Sequence, residues 1–265
     1  MSCDISFEGK VAVVTGSAQG IGKAIASAYA KHGARIVISD VQCDKGKAVA
    51  NELGAGAFFH ACDVSKPDQA LSLVNAAVEQ FGRLDVLVNN AARNPAKPEE
   101  RVTVDEYPED IFANVIDVDV NGTFYCSKTA ARQMIKQGSG SIINIASIAG
   151  VVALRLQIAH VTAKAAIIRM TEAMALELGP RGIRVNAISP GSTVTEHTRE
   201  IFYGEDARFK EFRERLLSFV PQGRPGEAGE IAQAALFLSS DLAAYINGHN
   251  LVVDGGWSCG HIRDF

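Results

Sequence analysis

No Cys-x-x-Cys pair occurs in the chain. Its five cysteines (Cys3, Cys43, Cys62, Cys126 and Cys259) are odd in number and widely spaced. That excludes a disulfide framework and offers no zinc-ligand spacing, so no metal site is expected and the thiols read as reduced residues of a cytoplasmic protein. No apolar run approaches the roughly 18–20 residues of a membrane helix. The first ten residues carry acidic side chains and no apolar core, so no signal peptide is expected either. A basic excess is also missing: 26 Lys and Arg face 30 Asp and Glu, a formal net charge of −4, with no run of like charge. Nucleic acid and anionic membrane are therefore not expected partners, which leaves a small-molecule ligand. Internal repeats and low-complexity linkers are absent too. With 47% hydrophobic and 21% charged residues over 265 positions, the composition is that of one globular domain with a sizeable core.

What is present is an alternation. Short Val/Ile-rich runs at 10–15, 35–39, 57–62, 84–89, 141–146, 183–188 and 250–253 read as buried strands. Helical stretches at 20–32, 45–53, 68–81, 110–136, 157–178 and 227–239 separate most of them. In the 68–81 stretch Leu71, Val74 and Val78 are expected on the buried face. Near-continuous apolar strands joined by helices imply an α/β fold, a doubly wound parallel sheet of about seven strands of the Rossmann type, with helices on both faces. One stretch breaks the rhythm: residues 191–224 are mixed polar, aromatic and charged. Such an excursion at the carboxyl edge of a sheet reads as a substrate lid, with 207–219 as an amphipathic helix.

Between the first strand and first helix lies Thr15-Gly16-Ser17-Ala18-Gln19-Gly20-Ile21-Gly22. Glycines there let the backbone turn sharply and approach a pyrophosphate, which the helix N-terminus then meets with free N–H groups. The second strand ends at Asp40, 24 residues after Gly16. A carboxylate there accepts hydrogen bonds from ribose hydroxyls and repels a 2′-phosphate. Ser17, Ala18 and Val41 offer no cation to neutralise such a phosphate, so NAD is favoured over NADP. The plainer alternative is a glycine-rich turn with a solvated aspartate.

The spacing Gly-x-x-x-Gly-x-Gly resembles that of the short-chain dehydrogenase/reductase family, and the likeness runs along nearly the whole chain. Cys62-Asp63-Val64 resembles the family's adenine-contacting turn. Asn89-Asn90-Ala91-Ala92 resembles Asn-Asn-Ala-Gly, with Ala92 in place of the glycine. Ile145-Ala146-Ser147, Ser189-Pro190-Gly191-Ser192-Thr193 and Val253-Asp254-Gly255-Gly256 resemble the serine-bearing strand end, the Pro-Gly turn beside the nicotinamide and the C-terminal signature. The resemblance implies cofactor contacts from Gly16, Ser17, Gln19, Gly20, Ile21, Gly22, Asp40, Val41, Asp63, Val64, Asn90, Lys164, Pro190, Gly191 and Thr193. It implies a homotetramer and an NAD-dependent interconversion of a secondary alcohol (a polyol, cyclic diol or hydroxy acid) with its ketone.

Family chemistry uses a serine, a tyrosine thirteen residues on and a lysine four beyond that, completed by an asparagine on the preceding long helix. Here these positions hold Ser147, His160, Lys164 and Asp119. Two of the four depart from the pattern. Asn121, two residues past Asp119, would face differently on a helix. Three readings of His160 are open. The imidazole serves as proton donor and acceptor, with Lys164 lowering its pKa and Asp119 offsetting that; or the relay is lost and the protein binds NAD as a sensor, scaffold or non-redox catalyst (isomerase, lyase or cyclase); or His160 is an introduced substitution in an ordinary dehydrogenase. On the substrate side the candidates are Arg93, Asn94, Arg155 and His197.

Overall fold

The computed structural model describes residues 5–93, 100–196, 198 and 214–260. Its centre is a seven-stranded sheet in which every pair of neighbours is parallel. The strands are β1 (Val11–Thr15), β2 (Arg35–Asp40), β3 (Ala57–Ala61), β4 (Val86–Asn89), β5 (Gly140–Ile145), β6 (Ile183–Pro190) and, after a two-residue pair β7 (Thr193–Val194) and β8 (Gly226–Glu227), β9 (Asn250–Val253). Their order across the sheet is β3-β2-β1-β4-β5-β6-β9. The chain thus starts in the middle, winds out one way and returns to wind out the other. The reversal between β1 and β4 opens a crevice at the carboxyl ends of these strands, where such sheets bind ligands.

Side-chain alternation divides the core in two. Ala12 and Val14 of β1, Ile36 and Ile38 of β2 and Val86 and Val88 of β4 pack with Ile25 and Tyr29 of α1 (Gly20–Lys31). Val13, Val37 and Leu87 point the other way, toward Leu73 and Val74 of α3 (Pro67–Phe81) and Met134 of α5 (Gly122–Gln137). The period of two along each strand therefore covers both faces. Between α1 and α3, α2 (Cys43–Leu53) approaches β3 so closely that a Cβ on Gly46 would sit 2.1 Å from the Phe59 ring.

Two expectations are corrected. On α3 the buried residues are Ala70, Leu73, Val74 and Ala77, while Leu71 is 45% exposed. The sheet-facing stripe is thus centred on a different arc of the helix, with the small Ala70 and Ala77 admitting close contact. The stretch read as one helix over 110–136 has three parts: α4 (Glu109–Val115), a π-helical turn over Ile116–Asn121, and α5. A widened turn of this kind inserts an extra residue into the helical register and is frequent at functional sites. Two further helices of the described residues are α6 (Ile158–Leu178) and α7 (Ala228–Ser239). The 191–224 excursion begins with β7, which pairs with β8 just beyond its end. Much of the expected amphipathic helix lies outside the described residues.

A buried polar ladder locks the sheet to the helices that carry the site. Asn89 Nδ2 donates to Ser127 Oγ at 2.9 Å and to Asn144 Oδ1 at 2.8 Å, and Asn144 Nδ2 donates to Thr171 Oγ1 at 2.9 Å. Both asparagines are buried. Asn144→Leu keeps the shape but removes both bonds. It should lower unfolding stability by about 1–3 kcal/mol, read as a fall in urea midpoint at unchanged slope.

Candidate active site

The loop after β1 shows why glycine is needed there. Gly16 has φ +62°, and a Cβ on it would lie 2.7 Å from Ala91 Cα; a Cβ on Gly22 would lie 2.2 Å from the Gly16 carbonyl oxygen. The loop can close over itself only without side chains at these points. Asn90 holds it shut from the end of β4, donating from Nδ2 to the carbonyls of Thr15 at 3.0 Å and Gly16 at 2.9 Å. Thr15 Oγ1 in turn accepts the Asn90 and Ala91 N–H groups at 3.0 and 3.1 Å.

Above this loop opens a cavity of about 470 Å³. Its walls include Gly16, Gln19, Gly20, Ile21, Gly22, Asp40, Val41, Asp63, Val64 and Asn90, ten of the residues expected to meet the cofactor. Asp40 is 7% exposed. Its Oδ2 accepts the Ala18 N–H at 3.1 Å and its Oδ1 the Gln42 N–H at 2.9 Å, so the carboxylate stands fixed at one end of the cavity. An anion already occupies the other important point: Glu196 Oε2 accepts the Gly20 N–H, in the first turn of α1, at 3.1 Å. α1 has no side-chain cap and no acid in its first turn. A carboxylate on its free N–H group shows that this helix end receives negative charge.

Other expected cofactor residues do not wall the cavity. Ser17 is wholly buried; its Oγ donates to the Val14 carbonyl at 2.7 Å and accepts the Ser39 N–H at 3.0 Å, tying β1 to β2. Pro190 pairs with Val253 in the sheet, and Gly191 admits Asp254, whose Cα would be 2.7 Å from an added Cβ. Thr193 is buried, with Oγ1 donating to the Gly191 carbonyl at 3.2 Å. The threonine that reaches the cavity is Thr195, two residues later. Its methyl would be 3.4 Å from a Cβ on Gly20. Thr195, Gln42, Cys62 and Val118 are walls that the sequence reading missed. Cys62 had a signal as the first residue of the Cys62-Asp63-Val64 turn, and Val118 as the first of Val118-Asp119-Val120-Asn121-Gly122.

The second group of residues gathers at the ends of β4 and β5. Ser147 caps a short 3-10 turn after β5, its Oγ accepting the Ala149 N–H at 3.1 Å. Lys164, on α6, is 4% exposed; its Nζ donates to the Ile145 carbonyl at 3.2 Å and pairs with Asp119 Oδ2 at 3.1 Å. Asp119 sits on the π turn and is fully buried, with Oδ1 accepting the Arg93 N–H at 2.8 Å. Asn121 turns away to donate to Asp117 at 2.9 Å on an exposed surface. Arg93 walls the cavity, while its guanidinium is paired with the buried Glu100. Arg155 is exposed, and Asn94 and His197 lie outside the described residues.

His160 stands in the first turn of α6, one turn before Lys164, with Nδ1 buried and without a hydrogen-bond partner. Burial, then the Lys164 cation, then Arg101 push its pKa from the ordinary 6.5 down to about 3. The helix N-terminus works in the same direction. Asp119 meets Lys164 rather than the imidazole, so its influence on His160 runs through the Lys164 cation. The imidazole is therefore neutral at working pH. This predicts a pH signature. Between about 6.5 and about 3 the unfolded chain binds a proton at His160 that the folded chain does not. Stability should therefore fall as pH drops through that window, by up to about 1.4 kcal/mol per pH unit. His160→Gln should flatten this part of the curve in urea denaturation series at successive pH values.

Comparison with known proteins agrees with this geometry. The family model described as enoyl-(acyl carrier protein) reductase, a short-chain dehydrogenase/reductase model, matches residues 16–258. D-threitol dehydrogenase of Mycolicibacterium smegmatis is 38% identical over 258 residues, 96% of this chain and 95% of that protein. L-rhamnose 1-dehydrogenase (NAD(P)(+)) of Azotobacter vinelandii is 38% identical over 255 residues, covering 93% and 96%. The crystal structure of gox2181 superposes with a TM-score of 0.89 at 29% identity, covering 97% of this chain and 98% of that one. With the doubly wound sheet, the glycine cradle and the full-length likeness together, the chain belongs to the short-chain dehydrogenase/reductase family.

Proposed function

We propose that this chain is an NAD-dependent oxidoreductase interconverting a secondary alcohol, of the polyol, cyclic diol or hydroxy acid class, with its ketone. Family members use NAD or NADP. The observation that carries the reading is the Asp40 carboxylate, fixed in the wall of a cavity whose other end is the glycine cradle at the N-terminus of α1. The cradle fits a pyrophosphate, because side chains at Gly16 and Gly22 would fill it and because the Gly20 N–H already donates to a carboxylate. On this reading Asp40 and Val41 meet the adenosine ribose, Asp63 and Val64 the adenine, and Asn90 holds the loop. Lys164 and the turn through Pro190, Gly191 and Thr193 to Thr195 border the nicotinamide end. Asp40 favours NAD over NADP by charge; Lys45, held to Gln19 Oε1 at 3.0 Å, is the cation near this rim that would work against that preference. The relatives' names point to polyols and related alcohols: D-threitol for one, L-rhamnose for another.

Bound nicotinamide would supply the hydride acceptor or donor. The chain supplies the oxygen side. Ser147 Oγ and a neutral His160 N–H polarise a carbonyl by hydrogen bonding, a role suited to an imidazole whose basicity a helix N-terminus has lowered. In the oxidising direction the alcohol proton passes to the imidazole nitrogen. The low basicity of His160 makes this the harder direction, and it favours a second reading in which the chain binds NAD without redox turnover. A homotetramer belongs to the same proposal, supported by the exposed Phe124 on α5 and Leu176 on α6.

Titration with NADH and NADPH tests the cofactor, with tighter NADH binding expected; equal or tighter NADPH binding would overturn the role given to Asp40. Gly22→Ala should weaken NADH by about tenfold or more, about 1.4 kcal/mol, with the far-ultraviolet circular dichroism unchanged. An alcohol and ketone panel tests the chemistry. Turnover in the parent that is lost in His160→Ala with NADH binding intact is the expected result. Turnover appearing only in His160→Tyr selects the second reading.

A further inference from the structure

The two departures from the family pattern stand on either side of one cation. Asp119 Oδ2 pairs with Lys164 Nζ at 3.1 Å, both side chains buried, and His160 lies one helical turn before Lys164. The charged groups facing His160 come from three elements: Lys164 on α6 itself, Arg101 before α4, and Asp119 on the π turn, acting through Lys164. Tyr107 packs on Ala159 and Ala163 of the same helix face. The effect of a buried cation depends on its neighbour. Beside a phenol it favours the charged form, the phenolate; beside an imidazole it disfavours the charged form, the imidazolium. A bare lysine thus serves a tyrosine and hinders a histidine, whereas a carboxylate paired with that lysine weakens both effects.

We propose that Asp119 is a positioning residue matched to His160: its carboxylate neutralises Lys164, so that an imidazole rather than a phenol can carry the substrate-side proton. The two positions then act as one unit, and Asp119 touches neither substrate nor cofactor. It holds Lys164 against the Ile145 carbonyl and, through Oδ1, fixes the Arg93 backbone at the edge of the cavity. This inference rests on the oxidoreductase reading for its catalytic meaning, but its electrostatic core can be measured without turnover.

The test is a double-mutant cycle of His160→Tyr and Asp119→Asn, with His160→Phe as spectroscopic reference. First, the introduced phenol is titrated by ultraviolet difference absorbance against the reference. In the double variant it should titrate about one pH unit or more below its value in His160→Tyr alone. Identical titrations would overturn the proposal. Second, kcat/KM is measured across the cycle. Each single change should lower it, and the double variant should exceed the product of the single effects by about tenfold or more; multiplicative effects would overturn the coupling. If the parent shows no turnover, the oxidoreductase reading fails while the phenol titration still decides this one. If Asp119→Asn does not fold, His160→Tyr alone decides: a phenol at or above its ordinary value of about 10 supports a neutralised lysine, and one below about 9 overturns it.

Discussion

Two opposite charges buried side by side, Asp119 and Lys164, hold the working edge of this molecule together. Removing each from water costs on the order of several kcal/mol, and their attraction offsets this only where the remaining polar atoms also find partners. Here they do. Asp119 takes the Arg93 N–H, and Lys164 reaches the Ile145 carbonyl. The pair therefore joins the end of β5, the loop after β4, the π turn and α6. Each arrives from a different part of the chain. Moving any one of them strands a buried charge, so the geometry around His160 is fixed by an electrostatic condition as much as by packing.

The cofactor side is built on the same strand ends with different means. Thr15 Oγ1 accepts two N–H groups from Asn90 and Ala91, and Asn90 returns two bonds to the loop after β1. Two residues further along, Arg93 gives its N–H to Asp119. The segment 89–93 is thus a short hydrogen-bonded strap between the glycine cradle and the buried ion pair. The cavity above the glycine cradle and the buried ion pair share this one piece of backbone.

Much of this was legible in sequence because it rests on local patterns. Apolar runs rich in Val and Ile mark strands buried on both faces, and Gly16, Gly20, Gly22 and Asp40 stand at spacings set by a turn, a helix and the next strand. The misreadings share a different origin. Leu71 was assigned to the buried face because spacing gives the period of a helix, but not which arc meets the sheet. The π turn leaves no residue signature, since it is a change of hydrogen-bond register, and it carries the buried Asp119. The motifs name Ser17 and Thr193 but not what their hydroxyls bond: both donate to nearby carbonyls, and Thr195 is the threonine that walls the cavity. The low basicity of His160 depends on burial and on Arg101, a residue 59 positions away in sequence. Nothing in the local pattern reports that.

One backbone detail bears on how such a site changes. Leu156 has φ +62°, the left-handed conformation that side chains resist, and it is the non-glycine residue so placed among those described. It lies two residues before α6 begins. A conformation of this kind persists only where its surroundings hold it, here at the point where the chain turns into the helix bearing His160 and Lys164. The helix start, and hence which side chain occupies its first turn, is set upstream of His160 and Lys164. Position 160 can then exchange one side chain for another while the backbone that presents it stays still, so a single replacement can change what this helix end offers without rebuilding the fold around it.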